Sequence, residues 1–201
     1  MSYIWHDMGH QILKEEMMKL MITAHADDEV IFAGEKLFQE KGQWEILCIV
    51  TPDDQSKFRI PMLLKKVSAY FDVKIELLDC VDYGFNSTIR ENIHMPIKQK
   101  IESKDWDEIL THGPEGEYGH PHHIQVHNNV VQICKETNNL DKLYVFDPIK
   151  HDKIDQLTET KRKIFEATYD DETNLPDDHP RQWIHGWNTT QGWEENIRKF
   201  I

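Results

Sequence analysis

Short apolar runs alternate with amphipathic stretches from Met18 to about Thr168. Met18–Thr23 (MKLMIT) reads as an apolar strand. In Glu29–Lys41, Val30, Phe32, Ala33, Leu37 and Phe38 recur every three or four residues, and Gly42 follows as a stop, which predicts a helix. Glu45–Thr51 (EILCIVT) is β-branched and uncharged after Glu45, the pattern of a buried strand. Pro61–Phe71 carries Leu63, Leu64 and Val67 on one helical face. Lys74–Leu78 alternates as a third strand. Ile89–Ile101 has helical spacing, although it contains Pro96. Glu108–Thr111 predicts a fourth strand, Pro121–Lys135 a helix, Lys142–Phe146 a fifth strand and Ile154–Thr168 a last helix. From Tyr169 onward the chain is polar and acidic with no clear period, and an irregular tail is expected there.

Strands alternating with helices predict an α/β fold: a mostly parallel sheet of about five or more strands, covered by helices on both faces. In such folds ligands bind beyond the carboxyl ends of the strands. Chemistry-bearing residues should therefore follow strands rather than precede them.

Composition narrows the function. The 201 residues suit one domain spanning 1–201. With 23 basic and 36 acidic residues the net charge is −13, which argues against a nucleic-acid partner and against an anionic membrane surface. No run approaches the roughly 18 apolar residues of a membrane span, and the first residues lack the pattern of a signal peptide. Cys48, Cys80 and Cys134 are odd in number and widely spaced, so a cytoplasmic, reducing location is expected rather than a disulfide scaffold. The sequence is compatible with a homo-oligomer and does not specify one.

Twelve histidines are the unusual count, and they cluster. His25-Ala26-Asp27-Asp28-Glu29 follows the first strand. Thr111-His112-Gly113-Pro114-Glu115-Gly116-Glu117-Tyr118-Gly119-His120-Pro121-His122-His123 follows the fourth. His25 and Asp28 are three apart at a strand-to-helix junction, where a tight turn aims both at one point. Pro121 suits a first helical position, which places His120 near the N-cap and His123 in the first turn. Two imidazoles and one carboxylate, His25, Asp28 and His123, make the ligand set of a catalytic zinc site with an open position. Asp27 is placed to take a proton from water as general base. His120, if protonated, is placed to donate to the oxyanion formed when water attacks a carbonyl.

The HxDDE after one strand and the GHPxH after a later one resemble the PIG-L/LmbE-like family of zinc-dependent N-deacetylases. The resemblance implies a Rossmann-like three-layer α/β/α sandwich and a hydrolase that removes acetyl groups from amino sugars. The substrate is then a small molecule or a glycoconjugate. By motif position it implies His25, Asp28 and His123 as ligands of Zn2+, Asp27 as general base and His120 as the oxyanion-stabilising acid. The chain departs from the family pattern twice. Ala26 stands where Pro is usual. His122 stands where an Asp is thought to orient and charge the preceding His, a negative charge that His122 cannot supply.

Other residues carry weaker signals. Arg59 opens the second helix, where the resemblance implies a substrate-contacting Arg. His112 ends a strand and can line the pocket. Tyr83, Gly84 and Asn86 follow the third strand and can shape a sugar site. Asp53 and Asp54 read more simply as helix caps, His127 as a helix-surface group, and Trp183, Trp187 and Trp193 as packing. Two alternatives stand beside the hydrolase. One is a catalytically impaired member acting as a metal- and sugar-binding module. The other is a different metal enzyme, since two His and one carboxylate also suit non-haem Fe2+ oxygenases.

Overall fold

Lys19–Thr23 (β1), Trp44–Thr51 (β2), Lys74–Val81 (β3), Glu108–Thr111 (β4) and Leu143–Phe146 (β5) pair in parallel. They lie in the order β3-β2-β1-β4-β5 in the computed structural model, which describes residues 17–51, 60–84, 86–150, 160, 163–164, 167–168 and 193–200. Every residue of β1 and β2 is buried, which is why these strands read as continuous apolar runs. At the edge, β3 exposes Lys74, Glu76 and Asp79, charged side chains that discourage pairing with another chain.

Successive residues of a strand face opposite ways, and β1 uses this to separate two cores. Leu20 and Ile22 pack with Leu47, Ile49, Ile97, Ile101, Trp106, Val126, Val130 and Ile133. Met21 packs with Ile46, Val30, Phe32, Leu37, Val67 and Phe71. Helices Asp28–Gln39 (α1) and Ile60–Phe71 (α2) thus cover one face of the sheet. His94–Glu102 (α3) and Pro121–Glu136 (α5) cover the other, with the short turn Gly116–Gly119 (α4) between β4 and α5. This is the three-layer α/β/α sandwich expected from the alternation. Among the described residues, no helix is long and apolar enough to cross a membrane.

Two elements differ from the sequence expectation. The helix expected over Ile89–Ile101 begins only at His94, which puts Pro96 in the first turn, where a missing N–H costs nothing. Upstream, the Ile89 backbone is taken by the Gln125 side chain, which accepts from its N–H and donates to its carbonyl, both at 2.9 Å. The end of the chain is not irregular throughout: Trp193–Glu194 (β7) pairs with Ile149–Lys150 (β6), and Ile197–Lys199 (β8) adds an antiparallel strand beside β5. Strands of two or three residues are too short to show a period. Of the helix expected over 154–168, residues 160, 163–164 and 167–168 are helical. The rest of it, the tail from 169 to 192 with Trp183 and Trp187, and residues 52–59 with Asp53, Asp54 and Arg59, lie outside the described residues.

The amino end of the sheet is closed by ion pairs. Lys19 reaches Glu40 at 2.9 Å and Glu108 at 3.3 Å, and Glu45 accepts from Lys100 and Lys104. The carboxyl end carries the histidine clusters.

The C-terminal segment also closes a break in α1. At Ala33 the backbone leaves helical geometry (φ −146°, ψ 19°). Just beyond, the Glu195 carboxylate accepts from the N–H groups of Glu35 at 2.8 Å and Lys36 at 3.2 Å, serving as a cap supplied from far along the chain. Glu195→Ala should cost about 0.5–2 kcal/mol, the usual range for a lost cap, read as a lowered urea midpoint. An unchanged midpoint would mean that this segment does not cap α1 in solution.

Candidate metal centre and catalytic site

β1 and β4 are neighbours, and the chain leaves them toward opposite sides of the sheet. Their carboxyl ends form the topological switch point where ligands bind in such folds. The loops after these two strands carry both histidine clusters.

Asp28 is at the centre. It begins α1 and is buried, and its Oδ2 turns back to accept the His25 N–H at 2.7 Å. His25 Nδ1 lies 3.5 Å from Asp28 Oδ2, His123 Nε2 lies 3.4 Å from Asp28 Oδ1, and the two nitrogens are 3.1 Å apart. Ligands about 2.1 Å from a tetrahedral zinc sit about 3.4 Å from one another; the two histidine nitrogens approach that spacing, each beside a different Asp28 oxygen, and His120 also brings a ligand atom within 4.8 Å of those of His25 and His123.

The direction of the lone pairs agrees. Glu117 Oε2 lies 2.6 Å from His123 Nδ1 and 2.9 Å from His112 Nδ1, while Oε1 accepts the Gly113 N–H at 2.7 Å. An ionised carboxylate only accepts, so it draws hydrogen onto His123 Nδ1 and leaves Nε2 bare toward Asp28 and His25. Burial opposes the charge of Glu117, but the ring N–H groups of His112 and His123 outweigh it and hold its pKa below the usual carboxylate range. The gap between His25, Asp28 and His123 therefore faces acceptors and attracts positive charge. Burial alone would lower the His25 pKa, yet Asp28 and Asp27 raise it; a divalent cation meets the same demand.

Glu117 was not singled out from the sequence. Its position needs an unusual backbone. Gly116 has φ 63°, and a Cβ there would come within 2.8 Å of Ile124 and 3.3 Å of His123. Glu117 itself has φ 58°, a conformation costing about 1–3 kcal/mol that is retained mostly at functional sites. The one available signal was a carboxylate beside a glycine in the loop leading to His123.

His112 supports the centre. Burial disfavours its charge, but Glu117 and Asp28 at its two nitrogens raise its pKa to about 10. Against this, Nε2 lies 2.8 Å from the Ala24 N–H, which needs an acceptor there. This contact is the shorter one on Nε2, so the geometry favours the neutral ring, with hydrogen on Nδ1 facing Glu117. That leaves Nε2 occupied and makes His112 a poorer ligand than His25, although Asp28, His112 and His123 also gather ligand atoms within 4.8 Å. His127 is not a helix-surface group. It is buried, and its Nδ1 donates to the His112 carbonyl at 2.7 Å.

His120 caps α5, with Pro121 at the first helical position, and its Nδ1 accepts the His122 N–H at 3.2 Å. Its ring stacks on His123 with centroids 4.6 Å apart, and Tyr118 stands edge-on to both rings. Burial, then His25 and His123, bring its pKa down to about 2. The sequence expectation is a protonated His120; burial and the neighbouring imidazoles oppose that charge, and with Nδ1 accepting, the hydrogen of a neutral ring sits on Nε2.

The departure at His122 has a different consequence from the one expected. Its ring hydrogen-bonds to His25, not to His120: Nδ1 is 3.1 Å from His25 Nε2, and its own Nε2 is 3.1 Å from Ser87 Oγ. Toward His120, His122 offers its backbone N–H, and the two rings lie tilted with centroids 5.0 Å apart.

Asp27 stands at the N-cap of α1, yet its side chain makes no capping bond. It is half-buried beside Asp28. Burial, then repulsion from Asp28, raise its pKa to about 7, the range in which a carboxylate serves as a general base near neutral pH. Tyr83 is not drawn into the cluster. It is exposed on the loop after β3 with the Arg90 guanidinium 3.8 Å above its ring.

Residues 20–134, more than half of the chain, match the family described as PIG-L: GlcNAc-PI de-N-acetylase. An uncharacterized protein of Acanthamoeba polyphaga mimivirus is 30% identical over 142 residues, which span 64% of this chain and 60% of that protein. The fold is similar to that of N,N'-diacetylchitobiose deacetylase from Pyrococcus horikoshii (TM-score 0.59, 16% identity, 92% of this chain and 85% of that one). It is also similar to a deacetylase of the teicoplanin biosynthetic pathway (TM-score 0.58, 14% identity, 76% and 80%) and to the 4-carboxy-2-hydroxymuconate hydratase GalB of Pseudomonas putida KT2440 (TM-score 0.54, 13% identity, 78% and 80%). At such identities the likeness concerns the fold, and a hydratase among these proteins shows that the fold alone does not set the reaction. The family match spans both histidine clusters, and the chain belongs to the GlcNAc-PI de-N-acetylase (PIG-L) family.

Proposed function

We propose that this chain is a metal-dependent hydrolase that removes the acetyl group from an N-acetyl amino sugar or its glycoconjugate. The observation that carries this reading is the convergence of His25 Nδ1, His123 Nε2 and the two Asp28 carboxylate oxygens beside the Asp27 carboxylate. The sugar class rests on the family description, which names GlcNAc-PI, and on the diacetylchitobiose deacetylase among the structural neighbours.

In this reading His25, Asp28 and His123 hold Zn2+, with Fe2+ suited to the same ligands. A divalent ion there supplies Lewis-acid polarisation of the amide carbonyl and acidifies the attacking water. Asp27 takes the proton of that water as its oxygen bonds to the carbonyl carbon. His120 donates from Nε2–H to the oxyanion, as a neutral donor. Asp27 then passes the proton to the amide nitrogen as the C–N bond breaks, leaving a free amine and acetic acid, which gives up its proton to become acetate. Glu117 holds His123 in the tautomer that keeps Nε2 available.

Acetate release from N-acetylglucosamine and its conjugates, measured on chelator-treated protein with and without added Zn2+, tests the reading. Asp27→Asn should lower turnover by about 10²–10⁴-fold, the range for a lost general base, with zinc still bound. Turnover close to wild type would remove Asp27 from the role of base. Zinc-loaded wild type that releases no acetate from any N-acetyl sugar would favour the metal- and sugar-binding module. Glu117→Gln should weaken zinc binding by about 10–100-fold, as expected for the partner of a ligating histidine, measured by calorimetry. An unchanged affinity would mean that His123 is not held for the metal by Glu117.

A further inference from the structure

We propose that His122 and Ser87 act as positioning residues for His25, fixing hydrogen on His25 Nε2 so that the Nδ1 lone pair faces Asp28 and His123. This rests on the metal-site reading for its purpose, but its geometry stands separately.

Three hydrogen bonds in series carry the argument, and a carbonyl at one end sets their direction. Ser87 Oγ lies 2.7 Å from the Gly84 carbonyl, which can only accept, so the Ser87 hydroxyl donates there. What Ser87 then offers His122 is a lone pair. His122 Nε2, at 3.1 Å, must carry the hydrogen. In a neutral imidazole that leaves His122 Nδ1 as an acceptor, and its neighbour at 3.1 Å is His25 Nε2. His25 Nε2 therefore donates, and His25 Nδ1 is the bare nitrogen. That is the nitrogen 3.1 Å from His123 Nε2 and 3.5 Å from Asp28.

The chain of bonds is built to hold its shape. His122 is fully buried in the first turn of α5. The Gly84–Ser87 turn closes on itself, the Ser87 N–H donating to the Gly84 carbonyl at 2.9 Å. Gly84 has φ 98°, and its own N–H donates to Asp82 Oδ1 at 2.7 Å. A ligating histidine is commonly oriented through its second nitrogen by a carboxylate or carbonyl. Here a neutral imidazole does this, and no negative charge is added next to the metal. The loop after β3, two strands away from β1, thereby specifies which nitrogen of His25 is available.

Two readouts test this: histidine tautomers from long-range ¹H–¹⁵N NMR of metal-free protein, at alkaline pH where His25 is neutral, and Zn2+ affinity by chelator competition. Asn places an oxygen where His places Nδ1, so His122→Asn keeps the acceptor, whereas His122→Leu removes it. Wild type should show His25 with hydrogen on Nε2. His122→Leu should lose that preference and bind Zn2+ about 10–100-fold more weakly. His122→Asn should keep the tautomer and stay within about threefold of wild type. Ser87→Ala, at a half-exposed loop position, should weaken the tautomer preference and covers the case in which His122→Leu fails to fold. Either of two results would overturn the proposal: an unchanged His25 tautomer in both His122→Leu and Ser87→Ala, or an equal loss in His122→Asn and His122→Leu. So would a second equivalent of Zn2+ in wild type that disappears in both His122→Leu and Asp82→Ala. His25, Asp82 and His122 offer ligand atoms within 4.8 Å of one another, and that result would make His122 a ligand instead. Wild type that binds no Zn2+ but shows the tautomer, lost in His122→Leu, would remove the metal reading and support the positioning role.

Discussion

Asp28 is a carboxylate buried at the switch point of the sheet, and the surrounding polar structure is arranged around keeping it charged there. Burial works against its ionisation; His123, His112 and His25 outweigh that effect and hold its pKa well below the usual carboxylate range. A buried charge of this kind persists only when it is paired. Hydrogen on the facing nitrogens supplies that pairing, or a cation does: with Glu117 and His122 drawing the hydrogens of His123 and His25 outward, the inner nitrogens are left as acceptors for a cation. A cation between them satisfies three groups at once. Glu117 and His122 form the next layer out, and the Gly113 N–H and Ser87 form the layer beyond.

The fold makes this placement affordable. β1 and β4 lie side by side, and each is followed by a loop that starts a helix at the same end of the sheet. The amino ends of α1 and α5 therefore both point into the site. Their positive dipole ends favour the negative charges of Asp27 and Asp28. At the opposite end of the sheet, the lysine and glutamate pairs around Lys19 and Glu45 sit where ligands do not bind.

The elements were largely readable because each depends on a local period. β1, β2 and β4 are apolar runs between turn signals, and α1 and α5 carry a helical stripe. The departures occur where a distant group competes with the local pattern. Gln125 occupies the backbone of Ile89 before a helix can start there. β7 and β8 become strands only because β6 and β5 offer an edge. His127, read as a surface residue, is buried because the loop after β4 needs a donor at the His112 carbonyl.

The site divides in the same way. The sequence by itself determined which side chains are available and at which end of the sheet they emerge: His25, Asp27 and Asp28 after one strand, His120 and His123 after another. Strand alternation and motif spacing are properties of a few consecutive residues, so no tertiary contact is needed to see them. Only the tertiary structure decided which nitrogen of each histidine is free, and hence what each can do. A tautomer is set by the partner on the other nitrogen. The partner of His25 is 97 residues away, at His122, and the partner of His122 is 35 residues away, at Ser87. Even Glu117, only six residues before His123, meets it because two consecutive residues adopt positive φ. No period in the sequence marks such a turn.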